Sequence, residues 1–141
     1  MIYIQVNYLA VVLAAIANMA VGFLWFGPIF GKAWIAMMGW TPQEMGEAQK
    51  KGMTKSYIIA FVGSLLTAWV LAELIVLVNS YLGLTGMMAG LKASFLGWIG
   101  FTVPVLLSSV VWEGKSWKLW SLNVGYYLVA FIVMGAIISV M

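Results

Sequence analysis

Long apolar stretches alternate with short polar connections along the chain. Four of these stretches come close to the roughly 20 residues that a membrane-spanning helix needs, and they cover residues 7–28, 57–78, 89–112 and 119–140. We interpret the first as a membrane helix rather than a cleaved signal sequence, because residues 1–7 hold no lysine or arginine and the apolar run is too long for a signal core. The pattern predicts an all-α integral membrane protein, with residues 1–141 forming a single domain of four transmembrane helices.

Composition narrows the class of protein further. Of the 141 residues, 65% are hydrophobic and 8% are charged, against about 25% charged in an average soluble domain, so the lipid bilayer is the first expected partner. Cysteine, histidine and aspartate are absent, which removes disulfides, thiol chemistry, the commonest metal ligand and aspartate-based triads. We therefore expect no enzyme, no metal site and no cofactor. The net charge of +3 comes from scattered lysines, so we expect no nucleic acid partner either.

The lysines predict the orientation of the chain. The connection at residues 79–88 carries no lysine, whereas the other two connections do. Their lysines are Lys32, Lys50, Lys51 and Lys55 before the second helix, and Lys115 and Lys118 before the fourth. Because lysine is retained on the cytoplasmic side of a membrane, we expect the N-terminus and the C-terminus to lie outside a cell inner (plasma) membrane.

A short helix is predicted within the first lysine-bearing connection. Thr41 suits a helix N-cap, Pro42 the first helical position and Glu44 the third, and together they form a capping-box sequence. The helix should run from Pro42 to Lys51 and end at Gly52. We expect it to lie on the cytoplasmic surface of the membrane or to cover that end of the bundle.

The exit of the first helix has an unusual sequence, "FLWFGPIFGKAW", at residues 23–34. One interpretation is a membrane-interface belt, in which the aromatic side chains sit among headgroups, the proline breaks the helix and the lysine fixes orientation. Another is a packing unit that docks the connection against the bundle. The residues of this cytoplasmic interface motif are Trp25, Pro28, Gly31, Lys32 and Trp34, with Gly114, Lys115 and Trp117 at the other lysine-bearing connection.

Sequence echoes between the two halves predict a tandem repeat. The pattern Gly-Lys-small-Trp occurs at residues 31–34 and again at 114–117, and "YIIAF" at 57–61 resembles "YLVAF" at 127–131. Runs from glycine to proline also occur in the first and third helices, at residues 22–28 and 97–104. These echoes indicate two helical hairpins related about the membrane normal.

Two charged residues fall inside the apolar stretches. Glu73 lies about five residues inside the predicted end of the second helix, roughly 7 Å deep, and Lys92 lies at a similar level in the third. Because these helices form an antiparallel hairpin, Glu73 and Lys92 are a candidate intramembrane charge pair. The pair could carry protons or bind a cation; alternatively it is a structural ion pair, or two side chains that reach to the outer interface.

Polar and small residues within the helices predict close helix contacts. Asn18 has two interpretations, an amide that bonds across helices or a ligand contact in a pocket, and Asn123 and Tyr127 are further candidates for polar packing or a pocket. Glycine, alanine and serine on helix faces favour close approach within the bilayer. Because four helices of this length bury little interior, we also expect a homo-oligomer.

The stretches "NYLAVVLAAIANMAVGFLWFGPIFGKAW", "KKGMTKSY" and "WEGKSWKLWSLNVGYYLVAFIVMGAI" resemble a mainly bacterial, uncharacterised membrane family, domain of unknown function 1761. The resemblance covers nearly the whole chain and implies a compact four-helix membrane domain, without an activity, a substrate or a site. Two function classes stay open. One is a structural or partner-binding membrane protein, and the other is a small oligomeric transporter or channel that uses Glu73 and Lys92.

Overall fold

A computed structural model describes residues 5–141 of the chain, and within this range it is helical without strands. Four helices are long and apolar enough to cross a membrane, which confirms the four predicted spans. Their bounds are Tyr8–Ile29, Thr54–Leu82, Met87–Val111 and Trp117–Val140. The first four residues of the predicted single domain lie outside the described residues.

The first span is helix α1, Tyr8–Leu24, followed by a π-helical segment, Trp25–Ile29. Asn7 caps α1, with its side-chain oxygen accepting from the Ala10 amide at 3.2 Å. The prediction that Pro28 breaks the helix was wrong in detail, because the chain continues through one wide turn closed by a bond of 2.9 Å from the Phe30 amide to the Trp25 carbonyl. A π turn accommodates proline because it tolerates the missing amide donor.

Two short helices occupy the first connection. Helix α2, Gly31–Met38, ends at Gly39, whose φ of 74° is left-handed. Helix α3, Pro42–Lys51, has the predicted capping box: the Glu44 amide donates to Thr41 Oγ1 at 3.1 Å, and the Thr41 amide donates to Glu44 Oε2 at 3.2 Å. The sequence thus predicted the position and the start of α3.

The later spans are longer or more broken than their apolar stretches. Helix α4, Thr54–Leu82, extends four residues past the predicted end. The third span comprises α5, Met87–Gly97, a second π-helical segment, Trp98–Thr102, and the short helices α6, Val103–Leu106, and α7, Ser108–Val111. Helix α8, Trp117–Val140, starts two residues earlier than predicted, because Ser116 caps it by accepting from the Leu119 amide at 3.1 Å.

The spans form a ring in chain order. Helices α4 and α8 each pack against both α1 and α5, so α8 closes the ring against α1. We call the end with the turn at residues 83–86 the hairpin end. We call the opposite end, which carries all the lysines except Lys92, the lysine end.

The core of the hairpin-end half consists mainly of alanine. Its fully or almost fully buried members are Ala10, Ala14, Ala68, Ala72, Ala89, Ala93, Ala130 and Met134. Helices α5 and α8 approach most closely at Gly90 and Gly135, where a Cβ placed on Gly90 would lie 2.5 Å from the Gly135 carbonyl oxygen. Ser94 adds a hydrogen bond of 2.8 Å to the Phe131 carbonyl. Small residues permit this backbone approach, which holds helices together where lipid provides no hydrophobic drive.

Candidate functional site

A hydrogen-bonded amide joins three of the spans near the middle of the bundle. Asn18 Nδ2 on α1 donates to Ser64 Oγ on α4 at 2.6 Å, and the Tyr126 hydroxyl on α8 donates to Asn18 Oδ1 at 2.7 Å. Gly22 leaves room for the tyrosine, since a Cβ there would lie 3.3 Å from the Tyr126 hydroxyl oxygen. Asn18 therefore makes the interhelical bonds of the first interpretation.

A cavity of about 230 Å³ lies beside this amide. Asn18 and Tyr127 both line it, so the structure brings two of the candidate residues together. The other lining residues are Thr67, Phe101, Thr102, Val105, Leu106 and Phe131. Asn123 does not line this cavity, and its side chain makes no hydrogen bond to residues 5–141. The cavity offers hydroxyl and amide groups but no charge.

Two tryptophans on different spans donate to the same helix. Trp25 Nε1 bonds to the Leu122 carbonyl at 3.2 Å, and Trp98 Nε1 bonds to the Val124 carbonyl at 2.8 Å. Each tryptophan opens a π-helical segment, and a Cβ on Gly125 would meet the Trp25 ring at 3.3 Å. Trp25 is thus part of the packed bundle. Sequence reasoning missed Trp98, although both segments begin Trp-x-Gly, "WFG" and "WIG".

The packing-unit interpretation describes the motif around Gly31 better than the belt does. Gly31 is buried, and a Cβ there would lie 2.9 Å from the Phe26 carbonyl oxygen. The Trp34 ring packs between Phe26 and Trp40, with centroid distances of 4.9 Å and 5.1 Å. Lys32 and Pro28 are exposed. The aromatic rings therefore dock α2 against the end of the first span.

The second copy of the Gly-Lys-small-Trp pattern has a different local structure. Gly114 sits in a turn with φ of 71° and nothing within 4 Å of a Cβ placed on it. Lys115 follows in the same turn, and Trp117 is 61% exposed at the start of α8. Gly31, in contrast, is buried in the first turn of a helix. The two four-residue patterns are therefore not structurally equivalent.

Glu73 and Lys92 do not form a salt bridge, since no lysine nitrogen lies within 4.0 Å of a glutamate oxygen in residues 5–141. Because α4 continues to Leu82, Glu73 lies nine residues, about 14 Å, from the hairpin end of its helix. Lys92 lies only five residues, about 8 Å, from the start of α5 at Met87. The predicted equal depth was wrong for this reason, and the functional role of the two residues stays a prediction.

Glu73 is half-buried, on the outer side of α4. Leu66 lies seven residues before Glu73, and Ile59 lies seven residues before Leu66. Because seven residues make about two helical turns, the three share a face of α4, on which Leu66 and Ile59 are 58% and 61% exposed. The buried residues Ala68, Ala72 and Ile75 lie on the opposite face of the same helix.

Buried side chains lie between two cavities of the bundle. A cavity of about 270 Å³ at the hairpin end is lined by residues from all four spans or their caps, among them Asn7, Asn79 and Ser139. Buried side chains, including Ala14, Ala68 and Met134, separate it along the helices from the cavity at Asn18. The two cavities share no lining residue and are therefore separate.

These features define a four-helix membrane bundle with a packed half and a hydrogen-bonded half. The chain matches the family described as "Protein of unknown function (DUF1761)" over residues 9–139, and it belongs to that family. No match was found among curated proteins or among solved structures.

Proposed function

We propose that this protein is a non-enzymatic structural or partner-binding membrane protein whose working form is a homo-oligomer. The observation that carries the proposal is a half-buried carboxyl group, that of Glu73, on the outer side of a spanning helix. A carboxyl group in lipid is costly unless another group hydrogen-bonds to it. A second copy supplies that group, because a symmetric contact brings the two Glu73 side chains together.

The face around Glu73 has the spacing of a helix-pairing seam. We define the α4 seam as Ile59, Gly63, Leu66, Val70 and Glu73, which follow one another at intervals of four, three, four and three residues. This is the repeat of left-handed helix pairs, in which one polar residue fixes the register. Gly63 has nothing within 4 Å of a Cβ placed on it, so it leaves space for a neighbouring helix.

A groove beside the α4 seam supports the same contact. It has a volume of about 350 Å³ and lies between the second and third spans, where Leu66, Val70 and Phe101 line it. Apolar side chains of a second copy can fill such a groove and gain dispersion contacts that lipid tails make less well.

The lysines support an orientation for the working form. Six of the seven lysines lie at the lysine end, which we place in the cytoplasm of a cell bounded by an inner (plasma) membrane. Both termini then lie outside, and α3 lies on the cytoplasmic surface. Reporter fusions to the C-terminus and to residues 83–86 test this: activity of a periplasmic reporter at both positions is expected, and activity of a cytoplasmic reporter there contradicts it.

The two π-helical segments support a tandem origin of the two hairpins. Trp25 and Trp98 open equivalent segments in the first and third spans, and both donate to α8. The Gly-Lys-small-Trp echo does not contribute, because its two copies differ in structure. An experimental structure should show the first two spans superposing on the last two, and failure to superpose excludes the repeat.

A second candidate function is a small oligomeric transporter or channel that uses Glu73 and Lys92. The observation in its favour is the unpaired carboxyl group inside a span. Because Glu73 lies on the outer side of α4, the water path would run between copies. Single cysteines at Glu73, Leu66 and Val62 should all react with a membrane-impermeant thiol reagent if this function is correct. If no water reaches the α4 seam, the cysteines at Leu66 and Val62, which lie deeper in the span than Glu73, should not react.

The oligomeric state of Glu73 variants tests the main proposal. We expect Glu73→Val to shift the protein toward monomers in native mass spectrometry from a mild detergent, and Glu73→Gln to retain oligomers because an amide still bonds across the contact. Glu113→Gln, at the lysine end, is the matched control and should change nothing. A wild-type protein that is monomeric at all concentrations, or a Glu73→Val variant that associates equally well, contradicts the proposal.

A further inference from the structure

The first connection forms a cavity that is separate from both the α4 seam and the Asn18 network. Its volume is about 420 Å³, within the range of roughly 300–1,000 Å³ that small-molecule sites occupy. The lining residues are Trp34, Trp40, Glu44, Met45, Ala48, Gln49 and Met53. We propose that this cavity binds an organic cation, a quaternary ammonium or alkylated amine, between the two indole rings and the Glu44 carboxylate.

Two tryptophans give the cavity aromatic walls. The rings of Trp34 and Trp40 have centroids 5.1 Å apart and planes at 76°, so they form two sides of a corner. Positive charge is attracted to the face of an indole ring, and alkylated ammonium groups are recognised by such aromatic corners. Met45 and Met53 add polarisable thioethers that adapt to an alkyl group.

The lining of the cavity carries negative charge. Among the described residues that line the cavity, Glu44 is the only charged one. The neighbouring lysines of α3, Lys50 and Lys51, lie at its far end and do not line it. An anionic ligand therefore meets a carboxylate, whereas a cation meets opposite charge and aromatic faces together.

The capping box positions Glu44. One carboxylate oxygen, Oε2, accepts from the Thr41 amide at 3.2 Å, so the side chain is held at the start of α3 while its second oxygen is left for a ligand. This arrangement also makes a clean test possible, because glutamine completes a capping box as glutamate does. Glu44→Gln removes the charge and keeps the cap.

A row of contacting aromatic rings links the cavity to the bundle. Trp34 packs on Phe26, and Phe26 packs on Tyr126 with a centroid distance of 5.1 Å. Tyr126 is the residue that donates to Asn18. A ligand bound against Trp34 is therefore connected, through Phe26 and Tyr126, to the hydrogen bonds that Asn18 makes between three spans.

Binding of tritiated choline to the purified full-length protein in nanodiscs of phosphatidylglycerol tests the proposal. We expect saturable binding that Glu44→Gln and Trp40→Leu each weaken roughly tenfold. Glu47→Gln, on the same helix but outside the cavity lining, should bind as the wild type does. The neutral analogue 3,3-dimethylbutan-1-ol should compete poorly, because it has the shape of choline without the charge.

Several results overturn the proposal: no saturable binding, equal weakening by Glu47→Gln, or competition by the neutral alcohol as strong as that by choline. A second set of nanodiscs, made of phosphatidylcholine, identifies the source of the cation. Loss of choline binding there indicates that a lipid headgroup fills the site, and unchanged binding indicates a soluble cation. Both results retain the cation site and assign its natural occupant.

Discussion

The two halves of the bundle are held together by different means. At the hairpin end, α5 and α8 approach until a Cβ no longer fits at Gly90 or Gly135. From the middle of the bundle toward the lysine end, the helices are bridged by side chains, through the Asn18 amide and through the indoles of Trp25 and Trp98. Close backbone packing leaves little freedom, whereas bridging side chains can change their partners.

The difference separates two tasks within one small protein. Cavities of about 230 Å³ and 420 Å³ lie beside the Asn18 amide and in the connection that docks on the bundle, and a third of about 270 Å³ lies at the hairpin end. The ligand site that we propose is the 420 Å³ cavity, where two indole rings meet a carboxylate. The packed half fixes the direction in which α4 presents Glu73 to its surroundings. On this account the hairpin end determines the geometry of association, and the lysine end provides the adaptable site.

The largest effect is expected where the backbones meet. Gly135→Ala places a Cβ 2.8 Å from the Gly90 carbonyl oxygen and in contact with Ser94 Oγ, so α5 and α8 must separate. We expect a loss of about 2 to 3 kcal/mol in the free energy of unfolding, measured by SDS titration in mixed micelles with circular dichroism. Gly46→Ala, at an open position within α3, is the control and should be neutral or slightly stabilising. An equal loss in the free energy of unfolding for both variants would contradict close backbone packing at Gly135.

A smaller loss is expected at the junction between the first span and α2. Gly31→Leu introduces a Cβ 2.9 Å from the Phe26 carbonyl oxygen, and we expect it to cost about 2 kcal/mol in the same titration. Trp34→Leu loses two aromatic contacts, for which about 1 kcal/mol is expected. If both variants have equally small effects, α2 is not docked as a packing unit.

The polar network should contribute less than the glycine contact does. Asn18→Leu removes the bonds to Ser64 and Tyr126, and we expect a loss of about 1 kcal/mol, since bonds of this kind in membrane bundles average roughly 0.6 kcal/mol each. Asn123→Leu, without a side-chain bond in the described structure, is the matched control. A double-mutant cycle of Asn18→Ala with Tyr126→Phe should show coupling, and additive effects would mean that the bond is absent in the membrane.

The smallest effect concerns the indole bonds. Trp25→Phe keeps an aromatic ring but loses the donor to the Leu122 carbonyl, so about 0.5 to 1 kcal/mol should be lost. Trp112, which is 83% exposed, provides the comparison, and Trp112→Phe should change stability by less than the error of the titration. Equal changes in the free energy of unfolding for Trp25→Phe and Trp112→Phe would indicate that Trp25 is a membrane-interface residue rather than part of the packed bundle.

The sequence predicted the helices well because hydropathy and capping are local properties. The four spans follow from apolar length, and α3 follows from Thr41, Pro42 and Glu44 alone. The predicted end of α4 is four residues too early, because Asn79 and Ser80 are polar but helical, and the helix stops only at Gly83, where φ is 66°. Turn glycine determined the boundary more than polarity did.

Contacts between spans were harder to predict. The sequence left two interpretations of Asn18 open, an interhelical amide or a ligand contact, because its partners Ser64 and Tyr126 lie 46 and 108 residues away along the chain. The direction of Glu73 also depended on which face of α4 is buried, and four apolar helices show little amphipathic pattern to reveal it. Trp98 was missed because its role depends on a π turn, which hydropathy does not indicate.

Cysteine cross-linking in native membranes tests the central claim, that α4 presents its outer face to a second copy. The chain has no cysteine, so single substitutions report without background. We predict that Leu66→Cys and Ile59→Cys, on the α4 seam, form disulfide-linked dimers on mild oxidation, while Val105→Cys, which is 62% exposed on the third span, does not. Dimers at Val105→Cys with none at Leu66→Cys and Ile59→Cys would contradict the claim and place the contact on another face.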